Sequence, residues 1–400
     1  MTLISSRLSL VIFLLHLGSF LEAFVRSETI NEGETCHLPV AVTLYPNGGG
    51  NAENVTITRE ELKKRGRFYN ELGLPVNLSL VANGTSLYSA PTVKGTHFVW
   101  PDTLEIGKRI VLDLKSPNGI PIEIEALSHR PRVFYVHNFM TEEEANALVE
   151  YATSEENPYK MAPSTGGTHI SWEKGGRGNT LSTRTSMNAF DISSPTSAAI
   201  KRRAFRLLRI PEYKEAMADG IQVLRYERGQ AYVAHHDYFP SQQSEDFNWD
   251  PYTGGSNRFA TVFLYLNDVE EGGQTCFPKA EKLRESDYPN LAERFLGKDS
   301  DLSEAELSKL LKDANLKENS WEAKLTRDCY SKFSVQPRKG DAVLFYSQKP
   351  DGHLDPDSLH GAGPVLKGTK WGANVWVWNA CRYSLCGDGL HPAKENDFEY

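Results

Sequence analysis

The stretch "RGQAYVAHHDYFP", residues 228–240, sets two adjacent histidines one step before an aspartate, inside a run of aromatic and β-branched residues. In a strand, residues i and i+2 share a face, so His235 and Asp237 converge while His236 points the other way. An imidazole and a carboxylate at this spacing offer a divalent metal two ligands from one rigid element. The plainer reading of the same pair is a buried histidine bonded to its neighbour.

A second stretch shifts that balance. "PDSLHGAGPVLKGTKWGANVWVW" (356–378) holds His360 just before a glycine turn and Lys370 at the head of the next apolar run. Two histidines and a carboxylate are the facial triad of non-haem Fe(II), which leaves coordination positions open. Those positions suit a bidentate 2-oxo acid and O₂. The far carboxylate of such a co-substrate needs a buried cation, and Lys370 is placed to supply it.

Working outward, "IPIEIEALSHRPRVFYVHNF" alternates as strands do, and "TEEEANALVEYAT" follows with a Thr141–Glu144 capping box and an apolar face of Ala145, Leu148, Val149 and Ala152. "TSAAIKRRAFRLLRI" predicts a second amphipathic helix. Thereafter come short apolar strands, "GIQVLRY", "RFATVFLYL", "DAVLFY" and "GANVWVW". Helices followed by strands predict an α+β unit over 119–386, with the helices on one face of a sheet or barrel. The charged segment 281–328 interrupts the strands. Its Ser303–Glu306 capping box and its stripe of Leu307, Leu310, Leu311 and Ala314 predict a helical insertion.

Ahead of this unit, residues 24–118 read as β-rich through "LPVAVTLY", "VNLSLVA" and "KRIVLDL", with a helix over "TREELKKRGRFYNELG" and no catalytic constellation. Residues 1–23 carry "LSLVIFLLHLGSFL", too short for an ordinary span. They read as a signal peptide cleaved after Ala23, with an uncleaved membrane anchor as the alternative. Acceptor sequons at Asn54, Asn77 and Asn83 agree with a glycosylated secretory-pathway protein of the endoplasmic reticulum or Golgi lumen. The tail 387–400 has no retention tetrapeptide. Five cysteines (Cys36, Cys276, Cys329, Cys381 and Cys386) suffice for one or two bridges, and none form a Cys-x-x-Cys pair. A net charge of −8 without a basic cluster argues against nucleic acid as the partner. The oligomeric state is not legible.

With these residues in place, the chain from about 128 to 380 resembles the 2-oxoglutarate/Fe(II) dioxygenases, and among them the prolyl 4-hydroxylases of the plant and algal type. "HRPRVFYVHNFMTEEEANALV", "RTS" (184–186), "QVLRYERGQAYVAHHDYF", "LYLNDVEEGGQTCFP", "RKGDAVLFYSQKPDG" and "DPDSLHGAGPVLKGTKW" stand in that family's order. The resemblance implies a double-stranded β-helix (jelly-roll) core, with His235, Asp237 and His360 as iron ligands. It implies Lys370 as partner of the distal 2-oxoglutarate carboxylate, with Tyr226 and Thr275 as hydrogen-bonding helpers. Tyr232, Arg258 and Trp376 match positions that line the peptide groove or support catalysis. The implied cofactors are Fe(II), 2-oxoglutarate, O₂ and L-ascorbate, and the implied partner is a proline-containing peptide or protein.

The sequence also departs from the family. Trp378 stands where histidine is frequent. Gly363 replaces a cysteine of the plant members, which deprives Cys329 of its expected partner; Cys276 is one substitute, and Cys381 and Cys386 can close a small loop. These departures leave the iron chemistry intact and bear on substrate, so a dioxygenase acting on another peptidyl residue is the rival reading. A zinc hydrolase is disfavoured by Lys370 and by the absence of an H-E-x-x-H helix. Finally, the glycine-rich stretches 164–180 and 239–257 are expected to form lids, with Trp172, Phe247, Trp249 and Tyr252 stacking on proline rings.

Overall fold

Alternating apolar residues build most of the chain into antiparallel sheet. The computed structural model describes residues 97–382 apart from 102–103, 165–183, 211–212, 241–245, 285, 289–290 and 292–302, together with the backbone of five strands between 21 and 88. Those five, β1 (Leu21–Arg26), β2 (Val40–Pro46), β3 (Glu53–Ile57), β4 (Leu78–Ala82) and β5 (Thr85–Tyr88), form a sheet in the order β3-β2-β1-β4-β5. β2 and β4 fall on two of the expected runs. The helix expected over 58–73 and most of the apolar N-terminal segment lie outside the described residues. Among the described residues, no helix is long and apolar enough to cross a membrane.

The largest sheet has nine strands: β6 (Arg109–Lys115), β7 (Pro121–His129), β8 (Arg132–His137), β9 (Ala162–Pro163), β10 (Met187–Asp191), β11 (Ile221–Tyr226), β13 (Arg258–Tyr265), β17 (Ala342–Tyr346) and β20 (Lys370–Trp378). Their order is β6-β7-β8-β17-β13-β20-β11-β10-β9, antiparallel throughout. A four-stranded sheet, ordered β12-β18-β15-β16, is made by β12 (Tyr232–His235), β15 (Thr275–Phe277), β16 (Phe333–Val335) and β18 (His360–Ala362). β14 (Glu271–Gly272) pairs with β19 (Val365–Lys367).

The central strands read as continuous apolar runs because both of their faces are covered. On one face Val262, Leu264, Val375 and Val377 pack with Ala145, Leu148, Ile200 and Phe205 of two helices, α1 (Glu142–Thr153) and α2 (Pro195–Leu207). The alternate residues Phe263, Tyr265, Val343 and Phe345 pack with Phe277, Phe333, Val335 and Ala362 of the small sheet. Helices, large sheet and small sheet therefore stack as layers.

α1 starts at the expected capping box, where Thr141 accepts from the Glu144 amide and the Glu144 carboxylate accepts from the Thr141 amide. Among the described residues, the insertion holds two helices. α3 (Glu304–Asp313) opens on the Ser303–Glu306 box and buries Leu307 and Leu311. α4 (Trp321–Ser331) runs three residues beyond the boundary set at 328 and buries Ala323, Leu325, Thr326 and Cys329. Its buried face has little aliphatic bulk, so it leaves a weak periodic signal in the sequence.

Candidate metal centre

β12 and β18 pair in a register that sets His235 directly opposite His360, and Asp237 follows just past the end of β12. The ligand atoms of His235, Asp237 and His360 lie within 4.8 Å of one another. His235 Nε2 is 3.6 Å from Asp237 Oδ1, and His360 Nε2 is 3.5 Å from Asp237 Oδ2. Each imidazole is held from behind. His235 Nδ1 faces the Val233 carbonyl at 2.9 Å, and His360 Nδ1 faces the Ser358 carbonyl at 3.0 Å. A carbonyl only accepts, so each Nδ1 carries the proton, and each Nε2 presents a lone pair toward the Asp237 carboxylate.

Electrostatics agree with this arrangement. Burial alone would raise the Asp237 carboxyl, but the His360 and His235 rings, whenever they carry a proton on the facing nitrogen, and the Arg258 guanidinium hold it well below the usual carboxylate range. Burial pushes the His360 imidazole down to about 4, so it is neutral and ready to ligate at physiological pH. His236 takes no part: its Nε2 meets the Pro356 carbonyl at 3.0 Å, on the opposite side of the strand as the alternation requires. Thr261, which the sequence reading passed over, donates its hydroxyl to Asp237 Oδ2 at 2.6 Å and occupies one carboxylate lone pair. Its signal is a solitary hydroxyl in the apolar run "RFATVFLYL".

Lys370 enters the same interlayer from the large sheet, paired with Tyr226 in register. Its stem reaches toward the small sheet, since a Cβ placed on Gly273 would stand 3.4 Å from Lys370 Cδ. The residue is 0% exposed, and among the described residues its Nζ has no hydrogen-bond partner. Among the described residues, the rings of Phe263 and Tyr226 face the ammonium, at 5.1 and 5.6 Å. Burial pushes its pKa down to about 7. A buried amine with no anion beside it among the described residues has room for a carboxylate partner. Thr275 stands nearby on β15 and accepts from the Tyr265 hydroxyl at 3.0 Å; Tyr265 is a further residue the sequence reading omitted. Burial raises the Tyr226 hydroxyl, which keeps it a neutral donor.

The three expected groove residues also gather here. Tyr232 stacks on His235 with ring centroids 3.9 Å apart, under the Arg184 guanidinium at 4.5 Å. Arg258 lies 3.6 Å over the Trp376 ring, pairs with Asp219 at 2.9 Å and donates to the Asp237 carbonyl at 3.3 Å. The cost of a charge at the head of an apolar strand is thus met by Asp219, which no sequence motif announced. Trp378, in the position where histidine was expected, is buried in the core and stacks with Phe239.

The lid expectation needs correction. Trp249 is 1% exposed and donates its indole N–H to the Gly352 carbonyl at 2.7 Å. Phe247 is buried against Phe239 at 4.8 Å. Neither ring is free to stack on a proline; the apolar demand of the core has claimed both. Tyr252 alone of the described rings is open, at 75% exposure, and Trp172 lies outside the described residues. Trp249→Ala is accordingly expected to cost about 3–5 kcal/mol of stability, measured by urea unfolding of the full chain. A variant as stable as the parent would contradict this burial.

The cysteine alternatives resolve in part. Cys329 of α4 pairs with Cys276 of β15. Cys381 is disulfide-bonded as well, and the pairing expected for it with Cys386 falls outside the described residues.

Residues 221–378 match the family model of the 2OG-Fe(II) oxygenase superfamily. Probable prolyl 4-hydroxylase 8 of Arabidopsis thaliana is 33% identical over 253 residues, spanning 63% of this chain and 70% of that protein. Probable prolyl 4-hydroxylase 3 of the same plant is 34% identical over 261 residues, spanning 63% and 71%. Among solved structures, a viral collagen prolyl hydroxylase of Paramecium Bursaria Chlorella virus-1 aligns with 62% of this chain and 95% of its own, at 18% identity and a TM-score of 0.33. With its triad, its buried lysine and relatives at this identity over more than two thirds of their length, the chain belongs to the prolyl 4-hydroxylase family of the 2OG-Fe(II) oxygenases.

Proposed function

We propose that this chain hydroxylates peptidyl proline, using Fe(II), O₂ and 2-oxoglutarate and yielding 4-hydroxyproline, succinate and CO₂. The observation that carries this reading is the pairing of a two-histidine, one-carboxylate cluster with a fully buried lysine that has no hydrogen-bond partner among the described residues, between the same two sheets. The stacked antiparallel sheets support the double-stranded β-helix description.

His235, Asp237 and His360 would hold the iron, and their donor set fits it: two neutral nitrogens and one ionised oxygen, all buried or half-buried. Iron bound there supplies oxidative decarboxylation of 2-oxoglutarate and hydroxylation of an unactivated C–H bond. The chain's own residues do the rest. The Lys370 ammonium takes the distal carboxylate, and the Tyr226 and Thr275 hydroxyls hydrogen-bond the co-substrate. Arg258, Trp376 and Tyr232 line the side on which a peptide lies. Tyr232 also keeps the His235 ring in its plane by stacking. L-ascorbate would be the added reductant.

The assay is mass spectrometry of proline-rich, collagen-like and proline-free peptides after incubation with the full chain, Fe(II), 2-oxoglutarate and ascorbate. A gain of one oxygen on proline supports the assignment. Oxygen on another residue supports the rival substrate, and none on any peptide refutes both. The buried disulfide suits an oxidising compartment and supports the secretory-pathway expectation.

The Lys370 pKa sets a pH dependence. Without co-substrate the amine is about half neutral near pH 7 and mostly neutral above it, whereas the bound carboxylate requires the ammonium. Binding above pH 7 therefore takes up a proton, and the Kd for 2-oxoglutarate rises with pH, by up to about tenfold per unit. Calorimetry at saturating Mn(II) in buffers of different ionisation enthalpy reads this uptake directly. A Kd that is flat from pH 7 to 9 would rule it out.

A further inference from the structure

Side chains alternate along β15: Thr275 faces the interlayer, where Tyr265 bonds it, so Cys276 faces outward. There it meets α4. The Cys276–Cys329 bridge has a Cα–Cα distance of 5.1 Å, and its cysteines are 0% and 2% exposed. Leu325 and Cys329 of α4 pack with Ala231, the residue before β12, and with Cys276. The helix thus spans the backs of β12 and β15, the two strands that flank β18 and its His360.

The bridge also explains Gly363. A Cβ built there would lie 2.7 Å from Cys329 Sγ and 3.2 Å from Cys276 Sγ. No side chain fits while this bridge stands. The Gly363 amide is tied to the Gln274 carbonyl at 2.8 Å, so the backbone cannot retreat easily. Cys276 itself lies opposite Gly361, the immediate neighbour of His360.

We propose that α4 is a strut for the metal-bearing strands, with the Cys276–Cys329 bridge as its lock and Gly363 as the gap that admits it. Cys276, Cys329 and Gly363 are positioning residues: they fix β18 against β15 and so fix the direction of His360 Nε2. This inference rests on the reading of the triad as a metal site. It further requires that a cysteine at 363 reach Cys329, since its Cβ would stand at nearly bonding geometry to that sulfur.

The test uses Co(II) as probe on the full chain, following its visible ligand-field bands. The parent should bind Co(II) saturably and His360→Ala should not; if the parent fails to bind, the metal reading falls and takes this inference with it. Cys276→Ser/Cys329→Ser is expected to bind about tenfold more weakly, with altered band shape. Cys276→Ser/Gly363→Cys should show a 363–329 bridge by non-reducing peptide mapping and return the Kd to within about twofold of the parent. Parental affinity and spectrum in the double serine variant would overturn the proposal. So would absence of the 363–329 bridge, or its formation without recovery of binding. If the double serine variant does not fold, the re-bridged variant decides alone.

Discussion

Alanine at His235, Asp237 or His360 is expected to abolish turnover, each with a loss of at least about 10²-fold in rate, because outer-shell changes at metal sites alone cost about 10–100-fold. The three positions fail for related reasons. Removing either histidine deletes a lone pair whose direction is preset by a backbone carbonyl, Val233 or Ser358. Removing Asp237 also strands the Thr261 hydroxyl and removes the only acid between the two rings. His236→Ala should keep most activity, since that ring meets the Pro356 carbonyl and the Tyr238 ring and not the triad. The measurement is single-turnover succinate formation with metal content determined on the same samples. Equal losses at His235 and His236 would reverse the assignment of strand faces.

Lys370→Ala should fail differently, through co-substrate and not metal. Truncating one partner of a buried, hydrogen-bonded charge pair costs ~2–5 kcal/mol, roughly 30- to 5,000-fold in apparent 2-oxoglutarate affinity. The Co(II) affinity of the variant should stay near parental, because no triad atom bonds the lysine. Lys370→Arg is not a substitute, since the guanidinium is bulkier and would have to displace the rings of Phe263 and Tyr226. An unchanged 2-oxoglutarate requirement in Lys370→Ala would leave the buried amine without a role.

His235 and Asp237 were legible through their i, i+2 spacing, although β12 ends at His235 and Asp237 lies just beyond it. His360 and Lys370 were legible through the motif that carries them and the family it resembles. Capping boxes located the starts of α1 and α3 through local spacing as well. What the sequence hid was set by partners remote in the chain. Trp249 looks like a lid ring until Gly352 supplies an acceptor for its indole, and Arg258 looks like a solvated strand end until Asp219 arrives beside it. Helix α4 escaped notice because its anchor is a disulfide and an alanine-lined seat, and neither has a period.

The direct opposition of His235 and His360 has a consequence for how the protein is made. The two ligands belong to strands separated by a long stretch of chain that includes the whole insertion, so joining them closes a large loop at an entropic cost that grows slowly with length. A slip of one residue between β12 and β18 would turn every side chain on the slipped strand to the wrong face. The register is one that the hydrophobic packing of the two sheets can select without an ion, so a chelator is expected to empty the site while leaving the folded chain intact.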